Sequence, residues 1–182
     1  MEFLKLKEVR IGAEAPDFEL PAMNGKVHRL TDYRGKIVVL DWWSAECPAS
    51  KRYDEWFNQM VEKYSKHGVQ FLMIDSNAIY DDDEIRSVSR ERAVKFPVLR
   101  DVGNKVADIY GALTTPQIFV VDRKGVLVYD GAIDDQTWNN QSPTKNYMTA
   151  VLDALIAAKA PPYTSTTPFG CTVKRSWPKD ED

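Results

Sequence analysis

The stretch that decides the fold is Asp41-Trp42-Trp43-Ser44-Ala45-Glu46-Cys47-Pro48-Ala49-Ser50. The apolar run that leads into it, residues 37–43, predicts a buried strand. Pro48 is typical of the first position of a helix, and an amphipathic pattern follows it. Cys47 therefore lies where a strand passes into a helix. Unpaired backbone N–H groups and the helix dipole favour a thiolate there, so we expect Cys47 to be the more reactive cysteine.

Composition narrows the classes of function. The chain has 182 residues, with 43% apolar and 28% charged residues, which is ordinary for one globular domain. Its net charge of −3 argues against a nucleic-acid partner. The polar N-terminus, residues 1–8, does not fit a signal peptide, and no apolar run approaches the ~20 residues of a membrane span. We therefore expect a cytoplasmic protein without a membrane partner.

Cysteines and histidines are few. Cys47 and Cys171 are far apart in the chain, and no Cys-x-x-Cys pair is present. With only His28 and His67 besides, the sequence shows no zinc-type cluster. The acidic run at 81–84 is better explained as the start of a helix than as a metal site. We therefore predict no metal and no cofactor.

Periodicity and turn signals predict the order strand, helix, strand, helix, two hairpin strands and helix. A short hairpin precedes them at 17–30, around Asn24-Gly25. The predicted strands lie at 37–43, 69–74, 117–121 and 126–129. The predicted helices run from 48 to about 67, 81–95, 104–110 and 145–158. Because right-handed crossovers make the first two long strands parallel neighbours, the chain is predicted to be an α/β protein with helices on both faces of a mixed sheet.

Four motifs carry a resemblance to a known family. They are Val39-Leu40-Asp41-Trp42-Trp43 leading to Cys47, Thr115-Pro116 before a strand, the opening 12–18, and the tail motif Pro168-Phe169-Gly170-Cys171. Together they resemble the thioredoxin-like redoxin family, which includes the alkyl hydroperoxide reductases and thiol-specific antioxidants. The tail motif resembles one bacterial subgroup of thioredoxin-like proteins. The resemblance implies a thioredoxin-like domain over 1–160, and a composition rich in proline, threonine and serine predicts an irregular C-terminal tail over 161–182.

The chain departs from the family pattern around Cys47. Ser50 stands where thioredoxins carry the resolving cysteine, and Glu46 stands where tryptophan is usual. Pro48 and Ser44 are more similar to the peroxiredoxin pattern. The active-site arginine of peroxiredoxins aligns with Pro116 and is missing. The sequence is therefore intermediate between the two groups.

Two sets of candidate site residues follow from the resemblance. The catalytic set is Cys47, Ser50, Asp41 and Cys171, and the substrate-binding set is Ser44, Trp43, Thr115 and Pro116. Alternatives stay open. Cys47 is either a nucleophile or an inert structural cysteine, and Asp41 either shuttles a proton to sulfur or is a structural carboxylate. Thr115-Pro116 faces an extended substrate, forms a structural turn, or does both. Packing is favoured over recognition for Trp42 and Trp43.

Two functions remain. The first is an antioxidant-type thiol oxidoreductase in which a single active-site cysteine acts in thiol–disulfide exchange or weak peroxide reduction. Its partners are a disulfide-bearing protein or a small thiol or peroxide, and the missing arginine favours thiol–disulfide exchange. The alternative is a redox-inactive binding module that lacks the resolving cysteine. The oligomeric state is not predicted.

We expect no stable bond between Cys47 and Cys171 in the resting protein. The last helix carries the chain away from the active-site end, and the tail would have to return nearly straight. The prolines at 161, 162 and 168 stiffen it, and a cytosolic protein seldom keeps a disulfide oxidised.

Overall fold

The structure, a computed structural model, describes residues 9–176. Residues 1–8, from which the sequence predicts no signal peptide, and residues 177–182 of the tail lie outside this range. The strands are β1 (Glu19–Pro21), β2 (Val27–Arg29), β3 (Ile37–Trp42), β4 (Val69–Asp75), β5 (Val98–Arg100), β6 (Thr114–Thr115), β7 (Ile118–Val121), β8 (Leu127–Gly131) and β9 (Cys171–Thr172). The α-helices are α1 (Pro48–Lys51), α2 (Asp54–Ser65), α3 (Asp82–Glu91), α4 (Lys105–Tyr110) and α5 (Tyr147–Ile156).

The central sheet has the strand order β5-β4-β3-β7-β8. Strands β3, β4 and β5 are parallel, whereas β7 pairs antiparallel with β3 and β8 antiparallel with β7. Strands β1 and β2 form the predicted N-terminal hairpin. The prediction of an α/β fold with a mixed sheet is confirmed, and the carboxyl ends of the parallel strands lie at the same edge as Cys47.

Every residue of β3 is buried because both faces of the sheet are covered. Val38, Leu40 and Trp42 point into a core that also contains α4 and the N-terminal hairpin. Ile37 and Val39 point into a second core, built from α2, α3 and α5. This two-sided burial explains why the strand is a nearly continuous apolar run. Over residues 9–176 no helix has the length and apolar character needed to cross a membrane.

Three parts of the fold differ from the sequence-based prediction. The helix after Cys47 is broken between α1 and α2, at a point where the Tyr53 hydroxyl donates to the Asp134 carboxylate at 2.9 Å. The edge strand β5 was not predicted, since three residues are too few to show a period. The tail is not irregular throughout, because β9 pairs antiparallel with β6.

Candidate redox site

Cys47 directly precedes α1, with Pro48 in the first helical position as predicted. Its main chain is extended, and its carbonyl accepts a hydrogen bond from the Lys51 N–H at 3.0 Å. The residue is only 2% exposed, and its Sγ lies 3.3 Å from the carbonyl oxygen of Thr115. The cysteine is therefore covered by the loop that carries Thr115-Pro116.

The structure joins Cys47 to Cys171 by a disulfide, with 6.2 Å between the two Cα atoms. The structure differs from the expectation of a resting protein without this bond, and it indicates two cysteines at a site where the sequence analysis expects one. The bond spans 124 residues and links the end of β3 to β9 in the tail. Ser50 stands at the position of the thioredoxin resolving cysteine, whereas the bond to Cys47 in this structure is made by Cys171.

The path of the tail explains why the expectation failed. After α5 the tail runs beside β8, where the Asp130 N–H donates to the Thr164 carbonyl and the Thr166 N–H donates to the Asp130 carbonyl, both at 3.1 Å. The prolines favour an extended path, and an extended path is what returns the chain to the active-site end. The stiffness of the proline-containing tail therefore favours its return to the active-site end of the sheet.

After the tail has passed β8, main-chain and side-chain contacts hold it over the site. Cys171 is opposite Thr115 in the β6–β9 pair, and the Val173 N–H donates to the Leu113 carbonyl at 2.9 Å. The Val173 side chain is buried in the same core as Trp42. The Lys174 N–H donates to the Asn77 side-chain oxygen at 2.5 Å. The tail thus fills the free edge of β6 with its own strand.

Two serines hold the loop before Cys47. The Ser50 Oγ accepts a hydrogen bond from the Ser44 N–H at 3.3 Å, and the Ser44 Oγ accepts one from the Glu46 N–H at 3.2 Å. Both serines are buried. Ser50 thus lies one helical turn from Cys47, and in this state its oxygen supports the loop.

Asp75, at the end of β4, is a site residue that the sequence analysis missed. Its carboxylate accepts hydrogen bonds from the N–H groups of Ala45 at 3.0 Å and Asn77 at 2.9 Å. Burial raises the pKa of Asp75 to about 6, although these hydrogen bonds and the charge of Arg100 oppose the rise. Its position at the carboxyl end of a parallel strand was the one available signal.

Arg92 is a second residue that sequence reasoning missed. Its guanidinium donates to the carbonyl oxygens of Ser44 and Ala45, and it pairs with Asp54 at 3.4 Å. These contacts hold the guanidinium against the main chain that precedes Cys47. Nothing in the local sequence indicates this role, since Arg92 comes from the end of α3.

Asp41 lies inside the sheet at the middle of the molecule. It is completely buried, and neither carboxylate oxygen has a hydrogen-bond partner within the described residues. Burial raises the pKa of Asp41 well above its usual range, and the negative charge of Asp54 raises it further. Burial therefore favours the protonated, neutral form of this group over the carboxylate.

The predicted substrate-binding residues separate into two groups. The Thr115–Pro116 peptide bond is cis, and both residues lie beside Cys47 under the tail. Trp43 is fully buried, and its indole N–H donates to Asp54 at 2.7 Å, which leaves it no surface for direct contact with a substrate. Ser44 is likewise fully buried.

A cleft of about 310 Å³ opens next to the disulfide. Cys171 and Gly170 form one side, and α1 and Tyr53 form another. An aromatic pair covers the rim, where Trp138 is 81% exposed and meets the Phe169 ring edge-on at 4.9 Å. Arg52 adds a cation to the wall, bonded to Gln141. The cleft is thus mainly apolar and reaches the disulfide from the Cys171 side.

Comparison with known proteins supports the resemblance seen in the sequence. Thiol-disulfide oxidoreductase ResA of Geobacillus thermodenitrificans is 32% identical over 123 residues, covering 68% of this chain and 70% of that protein. The structure of an uncharacterized conserved protein from Geobacillus kaustophilus superposes with a TM-score of 0.84 and 30% identity, covering 94% of each chain.

A solved structure and a family model agree with the fold and the family that the sequence suggests. The thioredoxin domain of a thiol-disulfide oxidoreductase from Bacteroides vulgatus superposes with a TM-score of 0.60 at 19% identity, over 66% of this chain and 87% of that one, which shows the shared fold. The model of the AhpC/TSA family matches residues 11–130, two thirds of the sequence. The chain with its Cys47–Cys171 bond therefore belongs to the AhpC/TSA family.

Proposed function

We propose that the protein is a two-cysteine thiol–disulfide oxidoreductase whose redox couple is Cys47 and Cys171. The observation that carries the proposal is the bond between these two sulfurs, formed across the Thr115-Pro116 loop. Relatives named thiol-disulfide oxidoreductase support the type of reaction. The tail cysteine supplies the second sulfur that Ser50 cannot provide.

The reaction moves two electrons and two protons. In one direction a substrate dithiol becomes a disulfide while the Cys47–Cys171 bond becomes two thiols. In the other direction the two thiols reduce a substrate disulfide and the bond is restored. In a reducing cytoplasm, the location that the sequence predicts, the dithiol form would predominate and the bond would form during turnover. The substrate class is a protein or small molecule that carries a thiol or disulfide.

The described residues give the site little provision for activating peroxide. Arg100 is buried and donates to the carbonyl oxygens of Asp75 and Asn77. Arg123 donates to the carbonyls of Gly35 and His67, at the other end of β3 and β4. With both engaged elsewhere, thiol–disulfide exchange is favoured over peroxide reduction.

A redox titration with single-cysteine variants tests the proposal. Equilibration of the full chain in glutathione buffers should give one two-electron transition in which both thiols disappear together. Reduction of a peptide disulfide by the chain, with dithiothreitol as donor, should be lost in both Cys47→Ser and Cys171→Ser. Full turnover in Cys171→Ser would contradict the two-cysteine proposal. A bond that forms in a wild-type chain without turnover would instead support the binding-module alternative.

A further inference from the structure

The two cysteines of the disulfide differ in exposure. Cys47 is 2% exposed, below the Thr115 carbonyl and behind the tail. Cys171 is partly exposed and lies on the outer strand β9. A thiolate must approach one sulfur along the line of the S–S bond, so access is one of the factors that decide which sulfur is attacked.

The cleft beside the site reaches only one of them. Its wall includes Gly170 and Cys171 but not Cys47, and its other sides are formed by Pro48, Ala49, Tyr53 and the aromatic rim. At about 310 Å³ it has room for a cysteine side chain with a neighbouring group. The exposed Trp138 and Phe169 rings offer apolar contact surface to such a group.

We propose, on the basis of the function above, that external thiols attack Cys171 and that Cys47 is the leaving sulfur. A substrate thiolate enters through the cleft and forms an S–S bond with Cys171 while the Cys47–Cys171 bond breaks. Cys47 departs with the electron pair and takes up one proton, so one thiolate is consumed and one thiol is formed. This order reverses the one that the sequence favours, in which Cys47 meets the substrate.

The surroundings of Cys47 suit a departing sulfur that becomes a neutral thiol. The Thr115 carbonyl oxygen, 3.3 Å from the Cys47 Sγ, is placed to accept a hydrogen bond from the new S–H group. A second thiol of the substrate then attacks its own sulfur in the mixed disulfide and releases Cys171 as a thiol. In the reverse direction Cys171 attacks the substrate disulfide and Cys47 resolves the product.

Mapping the first mixed disulfide tests the order of attack. The oxidised full chain is mixed with glutathione for short times, quenched with acid, alkylated with N-ethylmaleimide and digested. The expected early product carries glutathione on Cys171 and maleimide on Cys47, in large excess over the reverse isomer. Glutathione mainly on Cys47 would overturn this inference and leave the two-cysteine function intact. A bond that resists a large excess of glutathione would overturn both.

A variant that blocks the cleft gives a second measurement that does not depend on capturing the adduct. Ala49→Trp fills the cleft beside Cys171 and should slow glutathione reduction of the bond at least about tenfold, because it hinders access to the sulfur. Ala157→Trp, at an exposed position at the end of α5, is the matched control and should react at the wild-type rate. Circular dichroism verifies that both variants fold. An Ala49→Trp chain reduced as fast as the control would overturn entry through this cleft.

Discussion

Gly170 lies directly against the main chain of Thr115. A Cβ atom at position 170 would come within 2.7 Å of the Thr115 carbonyl carbon and closer still to its oxygen. Real Cβ atoms do not approach carbonyl groups this closely, so either the tail or the Thr115-Pro116 loop would have to move. The absence of a side chain at position 170 is therefore a condition for placing Cys171 over Cys47.

Gly170→Ala should separate the tail from the loop and weaken the disulfide. We expect free thiols in the variant under conditions in which the wild type is oxidised, as measured by non-reducing peptide mapping and thiol titration. Gly35→Ala is the matched control, since a Cβ there meets nothing within 4 Å. The control should lose only the modest stability that backbone strain costs at a positive φ, about 1 kcal/mol, and should keep the bond. An intact bond in Gly170→Ala would contradict the described path of the tail.

Docking of the tail should set how easily the bond is reduced. Val173→Ala removes two buried methyl groups that hold the tail in the core, at a cost of about 1–2 kcal/mol. If reduction releases the tail, the substitution destabilises the oxidised form and leaves the reduced form unchanged. The reduction potential of the disulfide should therefore rise by about 20–40 mV. Val102→Ala, whose side chain is 67% exposed, is the control and should leave the potential unchanged. Equal reduction potentials in Val173→Ala and Val102→Ala would show that docking of the tail does not affect the stability of the Cys47–Cys171 bond.

Asp41→Ala should stabilise the protein at neutral and alkaline pH. The folded chain holds a proton on Asp41 that the unfolded chain releases near pH 4, because the pKa of Asp41 is raised by burial. The contribution of Asp41 to the free energy of unfolding is therefore most favourable below about pH 4 and falls as the pH rises toward the folded pKa. Removing the unpaired group should raise the free energy of unfolding by about 1–3 kcal/mol at pH 8, with a smaller gain near pH 4.

The control for Asp41 is a buried aspartate that has partners. Asp101 accepts hydrogen bonds from the N–H groups of Val106 and Ala107 and from the Ser76 hydroxyl, so Asp101→Ala should destabilise the chain. Urea unfolding of the two variants between pH 4 and 8 makes the comparison. Loss of stability in Asp41→Ala at pH 8 would mean that the carboxylate has a partner in solution.

The aromatic rim of the cleft should give a preference among thiols. Peptides with an aromatic residue beside cysteine should reduce the oxidised chain a few times faster than peptides with an acidic residue there, since an aromatic contact contributes about 0.5–1.5 kcal/mol. Trp138→Ala should remove this preference, and Ile79→Ala, exposed and outside the cleft, should retain it. Stopped-flow measurement of bond reduction checks both. A preference that survives in Trp138→Ala would assign recognition to another surface.

Hydrogen peroxide should oxidise the reduced protein no faster than a free thiol of the same pKa. Arg92, whose guanidinium contacts the loop before Cys47, is bonded to main-chain carbonyls and to Asp54. Because Arg92 is engaged in these contacts, it is not free to stabilise the charge that develops on the peroxide oxygens. Trapping of the sulfenic acid with dimedone at micromolar peroxide measures the rate. Rapid stoichiometric trapping would show that the reduced site rearranges to present a donor.

The sequence predicts the centre of the fold well and its periphery poorly. Strand β3, the helix start at Pro48 and the Thr115-Pro116 loop follow from local signals: an apolar run, a proline at a helix start and a family motif. Strand β5 at the edge of the central sheet has three residues, and β9 beside β6 has two. Both form only because they pair with strands far away in the chain. A short segment has no period from which such pairing could be read.

The same contrast holds for the site. Cys47 and Ser50 are placed by one strand and one helix, so their spacing in the sequence predicts their spacing in space. Cys171, Asp75 and Arg92 reach the site from the tail, from β4 and from α3. Long-range contacts of this kind leave no local pattern. Proline restricts the direction of the tail as well as its flexibility. Because the extended direction leads back to the site, the prolines bring Cys171 to Cys47, contrary to the expectation from sequence.

Strand β9 has a consequence for any extended peptide that would use β6. The edge of Thr114–Thr115 is already occupied by the chain itself, so a substrate that pairs there competes with a segment tethered to the same chain. A tethered ligand has an effective concentration on the order of millimolar, even when its own bond to Cys47 is broken. Small thiols that need only the cleft avoid this competition, whereas peptides that need the edge must displace the tail. We therefore expect β9 to favour small thiols as substrates over extended peptides that would pair with β6.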